Sequence, residues 1–571
     1  MANKNAFDVA ILGGGLAGLT LARHLMLHTQ ARVLLVEKRT SLPPKNQKVG
    51  ESTVQLGGYY LSKVLDLEEE LLKNHFMKYN LRFHWKTQNG NNFEDYSQAY
   101  IRHFSNIASY QVNRNELERY LLNDLRSNTR CEVVLGCAPQ VQLGPPHRLQ
   151  LGDQRIEQVA WVVDTTGRQA FLSRGFDNAA PSPTEHAASF AWVEGLVDFD
   201  KLNTLSPAEN RRKPARRQTG HLPFWLATNH FMGEGFWFWL IPLQGITSLG
   251  LVFDKNILNL EMVNTPEKLL QWAAKQFPLF KKDFDNRRIL GGTCLKDTGI
   301  GRKQMIHAQN WAISGDAGRF LDPLYSPGTD FIAIQNSLIV QAIESPRNEL
   351  SKFCLLAESL SKAYFDAFTP SFRTSYNALG DQESFILKYT WELSVYFAFY
   401  VFPFINDLTT RSTFTLPFLQ RFSELGALNH QIHHFLSDFF IWKKTANSGP
   451  AKPYFHELMS LAPLAHAEKL FYEVGVTESK ALEKLESTLD ELKVFAQFIL
   501  CYMTARVLGD QTLVKRAAFV KAIDPKKWKF DLAAFSALAK KCGSDKSPHA
   551  WPFDFDCLDV FWNPSGNRKA A

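Results

Sequence analysis

One stretch near the start of the chain limits the possible folds more than any other. Residues 8–12 (Asp-Val-Ala-Ile-Leu) are a short apolar run, Gly13-x-Gly15-x-x-Gly18 follows at once, and apolar residues then recur with helical period over 19–27. Residues 32–37 (Arg-Val-Leu-Leu-Val-Glu) are a second apolar run that ends on Glu37. Two buried strands joined by a crossover helix require a parallel, doubly wound sheet. In such a turn the first glycine permits the tight reversal, the second lets backbone approach a pyrophosphate, and the third allows close helix packing. The helix N-terminus adds amide donors and partial positive charge, and a carboxylate ending the next strand can bind ribose hydroxyls. Gly13, Gly15, Gly18 and Glu37 therefore predict a dinucleotide site.

The rest of the chain divides around that unit. At ~150 residues per domain, 571 residues allow three or four packing units. Two more strand-loop signals, residues 160–167 and 311–318, return to the nucleotide fold, the second followed by a helical pattern over 330–343. Residues 80–100 and 187–253 alternate and are rich in aromatics, which predicts strands of a second, antiparallel sheet. From about residue 345 the pattern is helical, with amphipathic runs such as 479–506. The predicted division is a discontinuous nucleotide-binding domain (1–75, 105–185 and 285–344), a substrate-binding sheet (76–104 and 186–284) and a helical C-terminal domain (345–571).

Composition removes several function classes. A net charge of +7 over 571 residues is too mild to point to nucleic acid. The 7 cysteines contain no CxxC pair, which argues against a disulfide framework or a structural zinc site. His430, His433 and His434 have helical spacing but no acidic or cysteine partner nearby, so no metal is expected. The longest aromatic-aliphatic run, 395–405, is broken by Pro403 and falls short of the ~20 residues of a spanning helix. With no secretory signal, the expected location is cytoplasmic.

The chemistry lies in six further segments. The block Ser314-Gly-Asp-Ala-Gly-Arg-Phe-Leu-Asp-Pro-Leu-Tyr-Ser-Pro-Gly328 resembles the second FAD fingerprint of flavoprotein monooxygenases and halogenases. In those families the aspartate, here Asp316, contacts the ribityl chain, and the turn from Pro323 to Gly328 runs along the isoalloxazine. Arg114 and the 164–167 segment that opens with Asp164 resemble the other flavin-contacting segments. Trp237-Phe-Trp239-Leu-Ile-Pro242 resembles the WxWxIP signature of flavin-dependent halogenases, and Gly50-Glu-Ser52-Thr53 their flavin-contacting strap. Residues 76–85, Phe-Met-Lys-Tyr-Asn-Leu-Arg-Phe-His-Trp, resemble the stretch that carries the family's catalytic lysine, which would be Lys78. The resemblance spans about residues 7–340.

The implied fold is α/β plus α: a three-layer, Rossmann-type FAD domain with an inserted antiparallel sheet and a helical C-terminal domain. The implied activity is FAD-dependent halogenation of an electron-rich aromatic, free or on a carrier protein, with oxygen and halide as co-substrates. Lys78 would guide hypohalous acid, and burial would lower its pKa to free the amine. Trp237 and Trp239 would keep substrate from the flavin. One dinucleotide fingerprint implies that FAD arrives reduced from a separate flavin reductase. The basic loop 211–217 would suit an acidic carrier protein.

Two departures keep other readings open. The residues after Ser326, whose amides hold halide in the family, are Pro327 and Gly328, and proline has no N–H. Tyr325 stands where tryptophan-specific members carry glutamate, which points towards phenol- or pyrrole-type relatives. The alternatives are a flavin monooxygenase or oxidase without halide chemistry, and a non-catalytic flavin-binding scaffold.

Overall fold

The computed structural model describes residues 6–562 except 45, 88, 200, 203–205, 207, 209–222, 447–451 and 544–546. The basic loop 211–217 thus lies outside the described residues.

The strand Ala6–Leu12 pairs in parallel with Val33–Glu37 on one side and Gln154–Asp164 on the other. Cys131–Leu135 and Trp311–Ile313 extend the sheet outward, both in parallel. Val33–Glu37 is buried at every position, as expected for a strand covered on both faces. The helix Leu16–His28 starts on Gly15 and packs against the helices Arg114–Ser127 and Gly328–Glu344. Three separated chain pieces therefore assemble one sheet, and Leu12, Glu37, Asp164 and Ile313 all stand at its carboxyl edge, where α/β sheets bind ligands.

Among the described residues the second sheet has eight strands. Ile289–Leu295, His186–Glu194, Ile246–Asp254, Phe236–Leu243, Thr228–Gly233, Leu81–Lys86, Tyr96–Tyr100 and Phe455–Glu457 follow one another in that order. It is mostly antiparallel, with two exceptions: Thr228–Gly233 pairs with Leu81–Lys86, and Tyr96–Tyr100 with Phe455–Glu457, in parallel. The last strand comes from the region expected to be wholly helical. It covers a sheet edge that would otherwise present open backbone groups.

Beyond residue 345 the long helices Arg347–Arg373, Gln382–Tyr396, Ser412–Ala446 and Glu478–Leu508 pack on one another and on the part of the chain that carries the two sheets. The segment 395–405 is buried core, continuing from Gln382–Tyr396 through a wide turn, Phe397–Val401. Among the described residues no helix is long and apolar enough to cross a membrane. All seven cysteines are free, and no cluster of metal-ligating side chains occurs among the described residues. His433 is buried against Ser375 and Asn429, whereas His430 and His434 pair with each other at the surface.

Candidate active site

The glycine turn is built by close approach. Gly13 has φ +112°, and a Cβ there would lie 2.5 Å from the Thr165 carbonyl oxygen. A Cβ on Gly18 would lie 2.1 Å from the Gly13 carbonyl oxygen. Gly15 differs: its φ of −87° suits any residue, and a Cβ would meet nothing within 4 Å. The space in front of this helix start is what a pyrophosphate needs. Glu37 accepts from the Gly14 amide at 2.9 Å and from the Arg39 amide at 2.9 Å, so its carboxylate is fixed beside the turn. Asp164 is wholly buried and accepts from Thr166 and from the Leu172 amide at 2.7 Å; it shapes the loop on which Gly13 packs.

A cavity runs on from this turn between the two sheets. Ser52, Arg114, Asp316, Pro323 and Gly328 line it together with Trp237 and Trp239. Arg114 donates to Glu118 and to the Val49 carbonyl, while its Nε is buried with no partner. Asp316 is half exposed at the cavity wall, with Arg168 3.9 Å away. Trp237 is held by a 3.3 Å hydrogen bond to Asp322, a buried carboxylate that also accepts from Tyr376 and pairs with His186. Trp239 donates to Ser248 at 3.2 Å. The open helix start, the fixed carboxylate and the orphaned Arg114 Nε at the wall fit a flavin dinucleotide.

Lys78 faces a different cavity. That space is lined by Val54, Leu81, Ile101, Leu324, Tyr325, Pro327 and Asp330 and by side chains of the helix Gln382–Tyr396. Lys78 is only 2% exposed. Its Nζ donates to Ser52 Oγ at 3.1 Å and, closer still, to the Thr53 carbonyl. Thr53 is clamped by Tyr110, whose amide donates to Thr53 Oγ1 at 2.8 Å. Burial pushes the Lys78 ammonium down to about 7, against the pull of the nearby Asp330 carboxylate. Burial likewise pushes Asp330 up to about 7, opposed by donors from Tyr396 (2.9 Å) and the Gly57 amide (2.7 Å) and by Lys78.

The segment 323–330 divides the two cavities. Leu324, Tyr325, Pro327 and Asp330 face the Lys78 side; Pro323, Ser326, Gly328 and Thr329 face the other. Tyr325 and Ser326 have φ of +69° and +61°, two successive non-glycine residues in the left-handed region. Such strain gathers at functional turns. Pro327 then precedes the helix Gly328–Glu344 and brings no amide. Trp237 and Trp239, expected to keep substrate from the flavin, line the cavity that holds Ser52 and Asp316 and are absent from the lining of the Lys78 cavity. Sequence reasoning also missed Asp330 and the contribution of the Gln382–Tyr396 helix. An aspartate in a first helical turn reads as a favourable charge there, and nothing local marks the helix as site-forming.

Against known proteins, the tryptophan halogenase family model matches residues 8–176. A flavin-dependent halogenase, chlA, of Dictyostelium discoideum is 26% identical over 373 residues, 60% of this chain and 60% of that protein. A 1H-pyrrole-2-carbonyl-[peptidyl-carrier protein] chlorinase of Pseudomonas fluorescens is 25% identical over 380 residues, 60% of this chain and 77% of that one. The chain thus spans about 60% of the length of the Dictyostelium relative. Among solved structures, halogenase PltM in complex with phloroglucinol and FAD superposes with a TM-score of 0.59 at 15% identity, covering 86% of this chain and 96% of that one. At that identity the likeness is one of fold.

Proposed function

We propose, from the premise that this chain belongs to the flavin-dependent halogenase family, that it halogenates an electron-rich aromatic substrate of phenol or pyrrole type. The observation that carries this reading is the Lys78–Ser52 hydrogen bond, which joins two otherwise separate cavities. Gly13, Gly15, Gly18 and Glu37 would hold the dinucleotide end of FAD. Ser52, Thr53, Arg114, Asp164, Asp316, Pro323 and Gly328 would hold or shape the flavin end. Reduced FAD, when bound, supplies with oxygen the two-electron oxidation that turns halide into hypohalous acid.

The protein's own part is transfer and exclusion. The 323–330 partition keeps an aromatic ring away from the flavin, while a small neutral acid passes at Ser52. Lys78, with its amine largely freed by burial, accepts the acid's hydrogen bond or halogen and presents the electrophile to the ring. Trp237 and Trp239, in the wall of the flavin-side cavity, help to keep the aromatic substrate from the flavin. The pyrrole-carrier relative supports the substrate class. A separate reductase would supply reduced FAD, since the chain has one dinucleotide fingerprint.

Pro327 favours a second reading, a flavin monooxygenase, because it removes an amide from the turn that would hold halide. Mass spectrometry separates the two. Incubation with FAD, a flavin reductase, bromide or chloride and a panel of phenols and pyrroles should give a product with a halogen isotope pattern. A product heavier by one oxygen, formed equally without halide, would establish the monooxygenase instead.

A further inference from the structure

Besides Lys78 and Asp330, the Lys78 cavity contains a third buried charge, to which the halogenation reading gives no task. Apart from Lys78 and Asp330 its walls are largely apolar, except where the helix Gln382–Tyr396 places Glu392 in the lining. Glu392 is 8% exposed. Its Oε1 accepts from Lys388, which is wholly buried and also donates to Ser371 Oγ at 2.5 Å. Oε2 is buried and has no hydrogen-bond partner. The Tyr325 hydroxyl, in the same lining, faces this carboxylate; burial first, and then Glu392, hold it protonated. The Tyr325 hydroxyl oxygen, like Glu392 Oε2, is buried without a hydrogen-bond partner.

A carboxylate oxygen without a donor is costly inside a protein, and half of a satisfied ion pair gives no structural reason for it. Its place in the wall of the Lys78 cavity supplies a reason. We propose that Glu392 and Tyr325 form the substrate anchor: Glu392 Oε2 accepts a hydrogen bond from a hydroxyl or N–H borne by the aromatic ring, and the Tyr325 hydroxyl contacts the same heteroatom. This rests on the proposed action on an aromatic substrate and narrows it to rings that carry a free donor. A charge-assisted bond at that donor also pushes electron density into the ring, which favours attack by an electrophilic halogen. Glu392 and Phe368 border a neighbouring cavity lined by Tyr400, Phe422 and His433, so the anchor stands where ring substituents have room.

The test is a binding experiment on the FAD-loaded protein without halide. The probes are matched pairs, resorcinol against its dimethyl ether and pyrrole against N-methylpyrrole, with affinities measured by ligand-observed NMR. Wild type should bind the donor-bearing member of at least one pair about tenfold more tightly than its methylated twin, the worth of one charge-assisted hydrogen bond. Glu392→Gln should reduce that preference several-fold. If loss of the charge leaves Lys388 stranded and the variant unfolds, the double variant Lys388→Met/Glu392→Met removes both charges together and is compared in its place. The arms also distinguish a phenolic from a pyrrolic donor. No preference in either pair, or a preference that survives in folded Glu392 variants, would overturn the proposal. A Glu392-dependent preference in a protein that never halogenates leaves the anchor standing and removes the halogenase reading. Halogenation undiminished in Glu392→Gln removes the anchor alone.

Discussion

Lys78 Nζ lies 3.1 Å from Ser52 Oγ, and the two residues belong to different cavities. The lysine stands in the wall of the space beside the helical half, and the serine in the wall of the space that fits a flavin. In the proposed reaction, hypohalous acid formed on the flavin side would meet this pair on its way to the other cavity. Under the proposed function, this arrangement would separate the making of the electrophile from its use.

That separation can be measured. Lys78→Met keeps the apolar stem and removes charge and donor, so flavin reoxidation should proceed within about twofold of wild type while halogenated product falls at least ~100-fold, as expected for loss of a positioned proton-transfer or transfer group. Ser52→Ala removes one neutral partner of the lysine and should cost about tenfold in product, close to 1.4 kcal/mol. Product retained within a few-fold in Lys78→Met would mean the lysine has only a packing role.

The glycine turn makes a paired prediction because Gly13 and Gly15 fail for different reasons. Gly13→Ala must clash with the Thr165 carbonyl at a positive φ and should lower stability by about 2 kcal/mol or more, seen as a lower Tm without FAD. Gly15→Ala has the room and the dihedral to fold normally. Its methyl group would project into the space proposed for the pyrophosphate, so Tm without FAD should hold while FAD affinity falls by tenfold or more in fluorescence titration. Equal FAD affinity in folded Gly15→Ala would place the dinucleotide elsewhere.

These two glycines show what a sequence can reveal. A strand, a turn with fixed φ requirements and a helix start are local demands, met within a dozen residues, so the pattern survives in one dimension. The same holds for the 314–328 block, with Gly315 at φ +66°. The Lys78 cavity is not local. Asp330 meets Tyr396 across 66 residues, and the Gly57 amide meets Asp330 across 273. Glu392 sits in a helix whose pattern marks burial and nothing more. The strand Phe455–Glu457 is three residues long amid helices and exists because the Tyr96–Tyr100 edge is there to pair with. Lys78 itself was legible only through its resemblance to a family motif, since a lone lysine is ordinarily a surface charge.

The source of electrons gives a third test. One dinucleotide fingerprint serves one dinucleotide, so NADH or NADPH alone should leave the bound flavin's absorption band unbleached over minutes. Adding an unrelated flavin reductase should reduce the flavin and start turnover. Rapid bleaching by NADPH alone would assign the chain a second nucleotide site and a single-component mechanism.

The last prediction concerns pH and uses the Lys78–Asp330 pair. Burial brings Lys78 down to about 7 and Asp330 up to about 7. If the neutral amine is the working form, product formation should rise through about pH 7 and level off above it, while flavin reoxidation shows no matching step. Asp330 favours the charged lysine, so Asp330→Asn should move the inflection to lower pH. Stability follows the same two groups in opposite senses. Between 3.8 and about 7 the folded state holds a proton on Asp330 that the unfolded chain releases, so this group's contribution falls as pH rises. Between about 7 and 10.5 the unfolded chain holds a proton on Lys78 that the folded state has lost, so that contribution rises with pH. The site should therefore be at its least stabilising near pH 7. Urea unfolding across pH should show that dip in wild type and a flatter profile in Lys78→Met/Asp330→Asn. A dip unchanged in the double variant would assign the pH dependence to other groups.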